Sequence, residues 1–178
     1  TDAELREIVQ QWRSANPRIV RFWKQMDAAF RRGPGRVGEY IQVRRTPYGT
    51  HQLLLPSGRS INYHNVRIQA AEKFGKMQNV ITFSNPKPPY DRIQTYGGRL
   101  TENVTQAVAR DLLAQSLVSL IKLGMKPVAH VHDEILVEGS DVHSVAAAMG
   151  EDITFAPKWS VGLPLKAEGY NCKRYRKE

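Results

Sequence analysis

Four side chains capable of acid–base or metal chemistry, His130, His132, Asp133 and Glu134, fall within five residues of the stretch PVAHVHDEILVEG, residues 127–139. The surrounding pattern alternates, so residues 127–138 read as two strands, PVAHVH and EILVE, meeting near Asp133. A relaxed two-residue hairpin prefers Asn-Gly or a glycine pair, and neither is present. Local preference has yielded here, and the expectation is that polar groups buried at the tip are compensated by something they bind. Carboxylate oxygens suit Mg²⁺, which takes one or two protein carboxylates and completes its shell with water and substrate phosphates. Asp133 at a rigid tip fits that role. Zinc is the weaker alternative: the H-x-H spacing puts His130 and His132 on one strand face, but no neighbouring cluster completes a site, and His51, His64 and His143 are scattered along the chain. A merely solvated tip is the bland alternative.

The elements that must position this tip can be read outward from it. The segment from about Leu100 to Leu123 is the longest helical stretch, ending at Gly124, with a C-terminal half apolar on most sides, as in a helix buried among other elements. In its N-terminal half Arg99, Asn103, Gln106 and Arg110 recur at i, i+4, i+7 and i+11 and form a polar stripe. That stripe is either a solvent face or a surface reading polar edges, such as the acceptors of a DNA minor groove.

Two helices open the chain. Thr1 and Glu4 fit a capping box, and Asn16-Pro17 fits the N-cap and first-turn proline of the second helix, whose core stripe is Ile19, Phe22, Trp23, Met26 and Phe30. Residues 40–68 read as strands, with a Pro-Ser-Gly turn inside QLLLPSGRSINY. The proline- and glycine-containing stretch SNPKPPYDRIQTYGG offers a divide between two lobes. The expected class is α+β, an antiparallel hairpin and adjoining strands packed on long helices.

The 178 residues suffice for a core without staples, and the single Cys172 excludes an internal disulfide and suits a reducing, cytoplasmic setting. No apolar run approaches a bilayer span, so no membrane partner is expected. With 26 Lys and Arg against 17 Asp and Glu, the net charge of +9 points toward nucleic acid, since neutralised phosphates release counterions.

VHDEILVE resembles the third motif of family A DNA polymerases, the bacterial DNA polymerase I type, in which His-Asp-Glu tips a palm hairpin. YGGRLTENVTQAVARDLL resembles the helix before that hairpin in phage-type members. LPSGR followed by Tyr63, APKWSVGLPLKAEG and WRSANPRIVRFWKQM are similar to further segments of these enzymes, the last to the helix leaving the fingers, and they occur in the family's order along nearly the whole chain. The resemblance implies nucleotidyl transfer by a two-metal mechanism with Mg²⁺ or Mn²⁺. It implies Asp133 as the metal-binding catalytic carboxylate and Glu134 as an auxiliary one. His132 would lie near the primer terminus, and Gln106, with Arg99, Asn103 and Arg110, would contact DNA. The implied partners are primer-template DNA and a dNTP.

The chain departs from the family in lacking the D-Y-S-x-I-E motif that supplies a second aspartate, and the fingers helix whose Lys and Tyr hold the nucleotide. It therefore reads as late fingers-derived helices and hairpin over 1–90 and a palm half over 91–178, the latter including a C-terminal strand. Alone it is expected to be inactive, as a C-terminal segment or as a subunit completed by a second polymerase chain, with homodimerisation as a substitute. The competing class is a non-catalytic basic module that holds duplex DNA.

Overall fold

A computed structural model describes residues 2–73, 75–139 and 157–175 of the chain. The class is α+β, with antiparallel sheets and three α-helices among the described residues. The chain divides into two compact units, Thr1–Ala107 and Val108–Glu178, with the division falling inside the longest helix.

In the first unit α1 (Asp2–Ala15) and α2 (Pro17–Arg32) are joined at Asn16. Pro17 takes the first-turn position. Asn16 makes no side-chain cap to α2; its amide instead donates to the Trp12 carbonyl at 2.8 Å, so it closes the helix behind it. Thr1 of the expected capping box lies outside the described residues. The indoles of Trp12 and Trp23 stack, with ring centres 5.6 Å apart. Of the core stripe in α2, Met26 and Phe30 are buried, Phe22 and Trp23 half-buried and Ile19 exposed. In α1, Leu5, Ile8, Val9 and Trp12 form an exposed apolar face and no residue is buried.

A four-stranded antiparallel sheet follows in the order β1 (Gly35–Val37), β2 (Ile41–Arg45), β3 (His51–Leu54) and β4 (Ser60–Tyr63). A second sheet has the order β5 (Arg67–Lys73), β6 (Lys76–Ser84) and β7 (Arg92–Thr95). The proline-containing loop joins β6 to β7, which pair from Ile81 with Thr95 to Ser84 with Arg92. It is thus a hairpin connection within one unit. Alternation along β2 and β3 buries Ile41, Val43, His51 and Leu53. Phe30 meets His51 at 5.3 Å and the edge of Tyr63 at 5.2 Å, and Tyr63 meets Phe83 at 5.0 Å.

His51 brings an imidazole into this aromatic core, and its Nδ1 has no hydrogen-bond partner. Burial, followed by the charge of Arg45, pushes its pKa below the ordinary histidine value, against weaker pulls from the backbone at Gly49 and Phe30. Below about pH 6.5 the unfolded chain takes up the proton first. Stability should therefore fall as the pH drops through that point, with a slope approaching about 1.4 kcal/mol per pH unit at most. Urea unfolding between pH 8 and 5 tests this: His51→Leu should flatten the decline, and an unchanged slope in the variant would exclude His51 as its source.

The longest helix, α3 (Gly97–Lys122), ends at Gly124 with φ of 80°, as its apolar pattern and terminal glycine predict. Its first residues pack through Leu100 and Val104, both buried. In the second unit its C-terminal half differs from expectation. Ser119 and Leu120 are buried, but Val118 and Ile121 are exposed, the latter at 60%. The hairpin formed by β8 (Lys126–Val131) and β9 (Glu134–Glu138) likewise exposes Val128 and Val131. The expected C-terminal strand is absent from residues 157–175, which hold one short 3₁₀ turn, Lys158–Ser160. Pro157, Gly162, Pro164 and Gly169 interrupt that segment, and prolines and glycines disfavour a regular ladder. No described helix is long and apolar enough to cross a membrane.

Candidate functional site

The hairpin of the second unit is closed by His132 and Asp133, with Val131 paired to Glu134 and His130 to Ile135. His132 has φ of 52°, a left-handed conformation that glycine normally supplies. This is where the missing glycine is felt: the chain tolerates a strained histidine at the first position of the turn. The expectation of buried polar groups is corrected, because His130, His132, Asp133 and Glu134 are all exposed. What the tip stores is backbone strain rather than the cost of burying charge. A register shift between Pro127 and Ala129 marks a bulge at the far end of β8.

Asp133 and Glu134 are adjacent carboxylates on a tightly closed tip. Glu134 Oε2 accepts a hydrogen bond of 2.8 Å from the Tyr175 hydroxyl, which ties the C-terminal segment to the hairpin. That bond pushes the Tyr175 phenol above its usual range. Among the described residues no three His, Cys, Asp or Glu side chains converge as metal ligands. The donor chemistry at Asp133 nevertheless fits a hard cation such as Mg²⁺, which binds carboxylate oxygen and keeps several water or phosphate ligands.

The polar stripe of α3 separates into differently placed side chains. Gln106 is exposed and reaches Glu102 Oε1 at 3.4 Å, while Arg99 is exposed with one guanidinium nitrogen 3.4 Å from the Gln94 carbonyl. Asn103 is half-buried and donates to the Tyr63 hydroxyl at 2.7 Å. Burial pushes the Tyr63 phenol up, while the Asn103 bond and the charge of Arg99 oppose it. Asn103 is thus partly committed to holding the helix on β4. Arg59, from the Pro-Ser-Gly turn, donates to the Ala107 carbonyl at 3.0 Å and secures the same helix further along. Arg110, in the second unit, is exposed.

Sequence reasoning missed Tyr175, whose partner lies 41 positions away with no periodic signal between them. It also missed Tyr63 as the anchor of Asn103, although the alternation in SINY turns that ring inward.

The second unit thus carries a hairpin tip bearing carboxylates, and the first unit the start of a helix presenting amides and a guanidinium group. Compared with known proteins, the chain is 36% identical over 186 aligned residues, 99% of its length, to a DNA polymerase of Bacillus phage SP02. It spans 28% of the length of that relative. No family model matches the chain. No solved structure matches it either.

Proposed function

We propose that this chain is the C-terminal segment or subunit of a phage-type family A DNA polymerase acting in DNA replication in the cytoplasm. The observation that carries this reading is the likeness to a phage DNA polymerase along 99% of the chain, with His132, Asp133 and Glu134 at a hairpin tip. Residues 1–90 are the fingers-derived part and 91–178 half of the palm. Asp133 would hold a divalent ion, Mg²⁺ or Mn²⁺, which supplies electrostatic stabilisation of the reacting phosphate. Glu134, held by Tyr175, is the auxiliary carboxylate at the same tip. His132, which holds the left-handed first position of the turn, would meet the primer terminus. Gln106 and Arg99 donate to minor-groove acceptors, which occur at every base pair and so test geometry without reading sequence. Asn103 contributes its remaining amide functions, and Arg110 a phosphate contact.

The substrates on this reading are primer-template DNA and a dNTP, and the aspartate and nucleotide-binding helix missing from this sequence come from elsewhere in the polymerase. The exposed Val118, Ile121, Val128 and Val131 form apolar surface suited to burial against the remaining polymerase polypeptide or against a second copy. The test is primer extension with Mg²⁺ or Mn²⁺. The purified chain alone should give no extension, and adding a polypeptide that carries the D-Y-S-x-I-E motif and fingers helix should give it. Extension by the chain alone would overturn the division of labour proposed here.

A further inference from the structure

The basic surplus of the chain is confined to one unit. Residues 1–107 carry 17 Lys and Arg against 8 Asp and Glu, a surplus of nine, whereas residues 108–178 carry nine of each. The net charge of +9 therefore belongs to the first unit, where the β1–β4 sheet turns one face inward on Phe30 and the other outward.

The outward strand positions are polar with one exception. Alternation places Arg36, Gln42, Arg44, Gln52, Ser60 and Asn62 on that face, together with Leu54. The register sets Arg36 beside Gln42, Arg44 beside Gln52, and Gln52 beside Asn62, so the side chains form continuous cross-strand rows. Arg44 Nε donates to Gln42 Oε1 at 3.2 Å and Gln52 Nε2 to Asn62 Oδ1 at 3.0 Å, which orders the rows. None of these strand positions carries a carboxylate, although a solvated sheet face ordinarily pairs opposite charges across strands. None carries an aromatic ring, so the face offers no stacking platform for single-stranded bases.

We propose that this sheet face docks the phosphate backbone of duplex DNA, with Arg36 and Arg44 as its charged contacts and the amides as neutral donors. The proposal rests on the polymerase reading for its choice of partner, and on the charge and composition of the face for its location. Guanidinium groups meet phosphate oxygens with charge-assisted hydrogen bonds, and such contacts fix position without reading sequence.

The probe is a fluorescently labelled 20-base-pair duplex of arbitrary sequence, with the same labelled single strand beside it, titrated with the purified chain across a range of salt. Arg36→Glu/Arg44→Glu should weaken duplex binding by about tenfold or more and lower the salt slope by about two, since each phosphate contact contributes roughly 0.9. Arg18→Glu/Lys24→Glu, the same charge change at exposed positions of α2, is the control and should have a much smaller effect on the slope. Circular dichroism must show both variants folded; if the sheet variant is not, Arg36→Gln/Arg44→Gln replaces it, with the same change in slope expected. Equal losses in the two doubles would mean that net charge alone acts, and would overturn the platform while leaving the polymerase reading intact. Failure of the unaltered chain to bind duplex, or a loss confined to the single strand, would also overturn it. The polymerase reading fails separately, if the chain combined with the missing motifs extends no primer.

Discussion

Replacing Asp133 with alanine in a polymerase assembled from this chain and the missing motifs should reduce nucleotide addition by about a thousandfold or more while leaving duplex affinity nearly unchanged. Metal-assisted charge stabilisation is worth several kcal/mol in a transition state, and about 4 kcal/mol corresponds to roughly that factor. The substitution is structurally mild. Asp133 is exposed, and the positive φ of the turn falls on His132, so alanine at 133 meets no left-handed constraint. Single-nucleotide incorporation under saturating DNA, with Mg²⁺ and then Mn²⁺ titrated, separates loss of chemistry from loss of binding. If Asp133→Ala leaves both the rate and the metal dependence unchanged, the catalytic assignment fails and a non-catalytic duplex-binding module becomes the better account. Salt dependence cannot distinguish these two, because either would weaken with salt.

The hairpin was legible because two constraints agree in sequence: period-two alternation on both arms and a charged pair where glycine was expected. The paired register from Lys126 with Glu138 to Val131 with Glu134 follows that alternation. The tip's exposure was not legible, since alternation gives the relative facing of side chains and not which face another element covers. The same gap explains the C-terminal half of α3, where a nearly all-apolar composition suggested burial and Val118 and Ile121 are instead exposed. Asn16 shows a different limit. An Asn before Pro serves equally as N-cap of the following helix or closing residue of the preceding one, and the Trp12 carbonyl takes its amide. The segment APKWSVGLPLKAEG resembled a strand-forming region by family likeness alone, and its prolines and glycines were the local signal against it. Contacts between distant positions, such as Tyr175 with Glu134 and Asn103 with Tyr63, depend on how the chain closes on itself and carry no local pattern.

The glycine pair that opens α3 shows how one small residue can govern the polar stripe without belonging to it. Gly97 is buried, and a Cβ there would lie 1.9 Å from the Trp23 carbonyl oxygen and 2.8 Å from its carbon. Its φ is not positive, so what requires glycine is space: the first turn of α3 touches the backbone of α2. Backbone cannot swing aside as a side chain does, so Gly97→Ala must push α3 away from α2 and disturb the packing of Leu100 and Val104. Overpacking costs about 1–3 kcal/mol when neighbours can relax, and here the cost should reach about 3 kcal/mol or more. Gly98→Ala is the internal control. Its Cβ would meet the Tyr96 ring at 2.9 Å, a side chain and not main chain, and alanine gains about 1 kcal/mol of helix propensity over glycine, so the change should cost far less than Gly97→Ala. Urea unfolding followed by tryptophan fluorescence reads the difference, because Trp12 and Trp23 stack within the affected unit. A Gly97→Ala midpoint indistinguishable from that of the unaltered chain would show that the two helices separate cheaply. The predicted loss would instead mean that Arg99, Asn103 and Gln106 hold their register because α3 is seated directly on the main chain of α2.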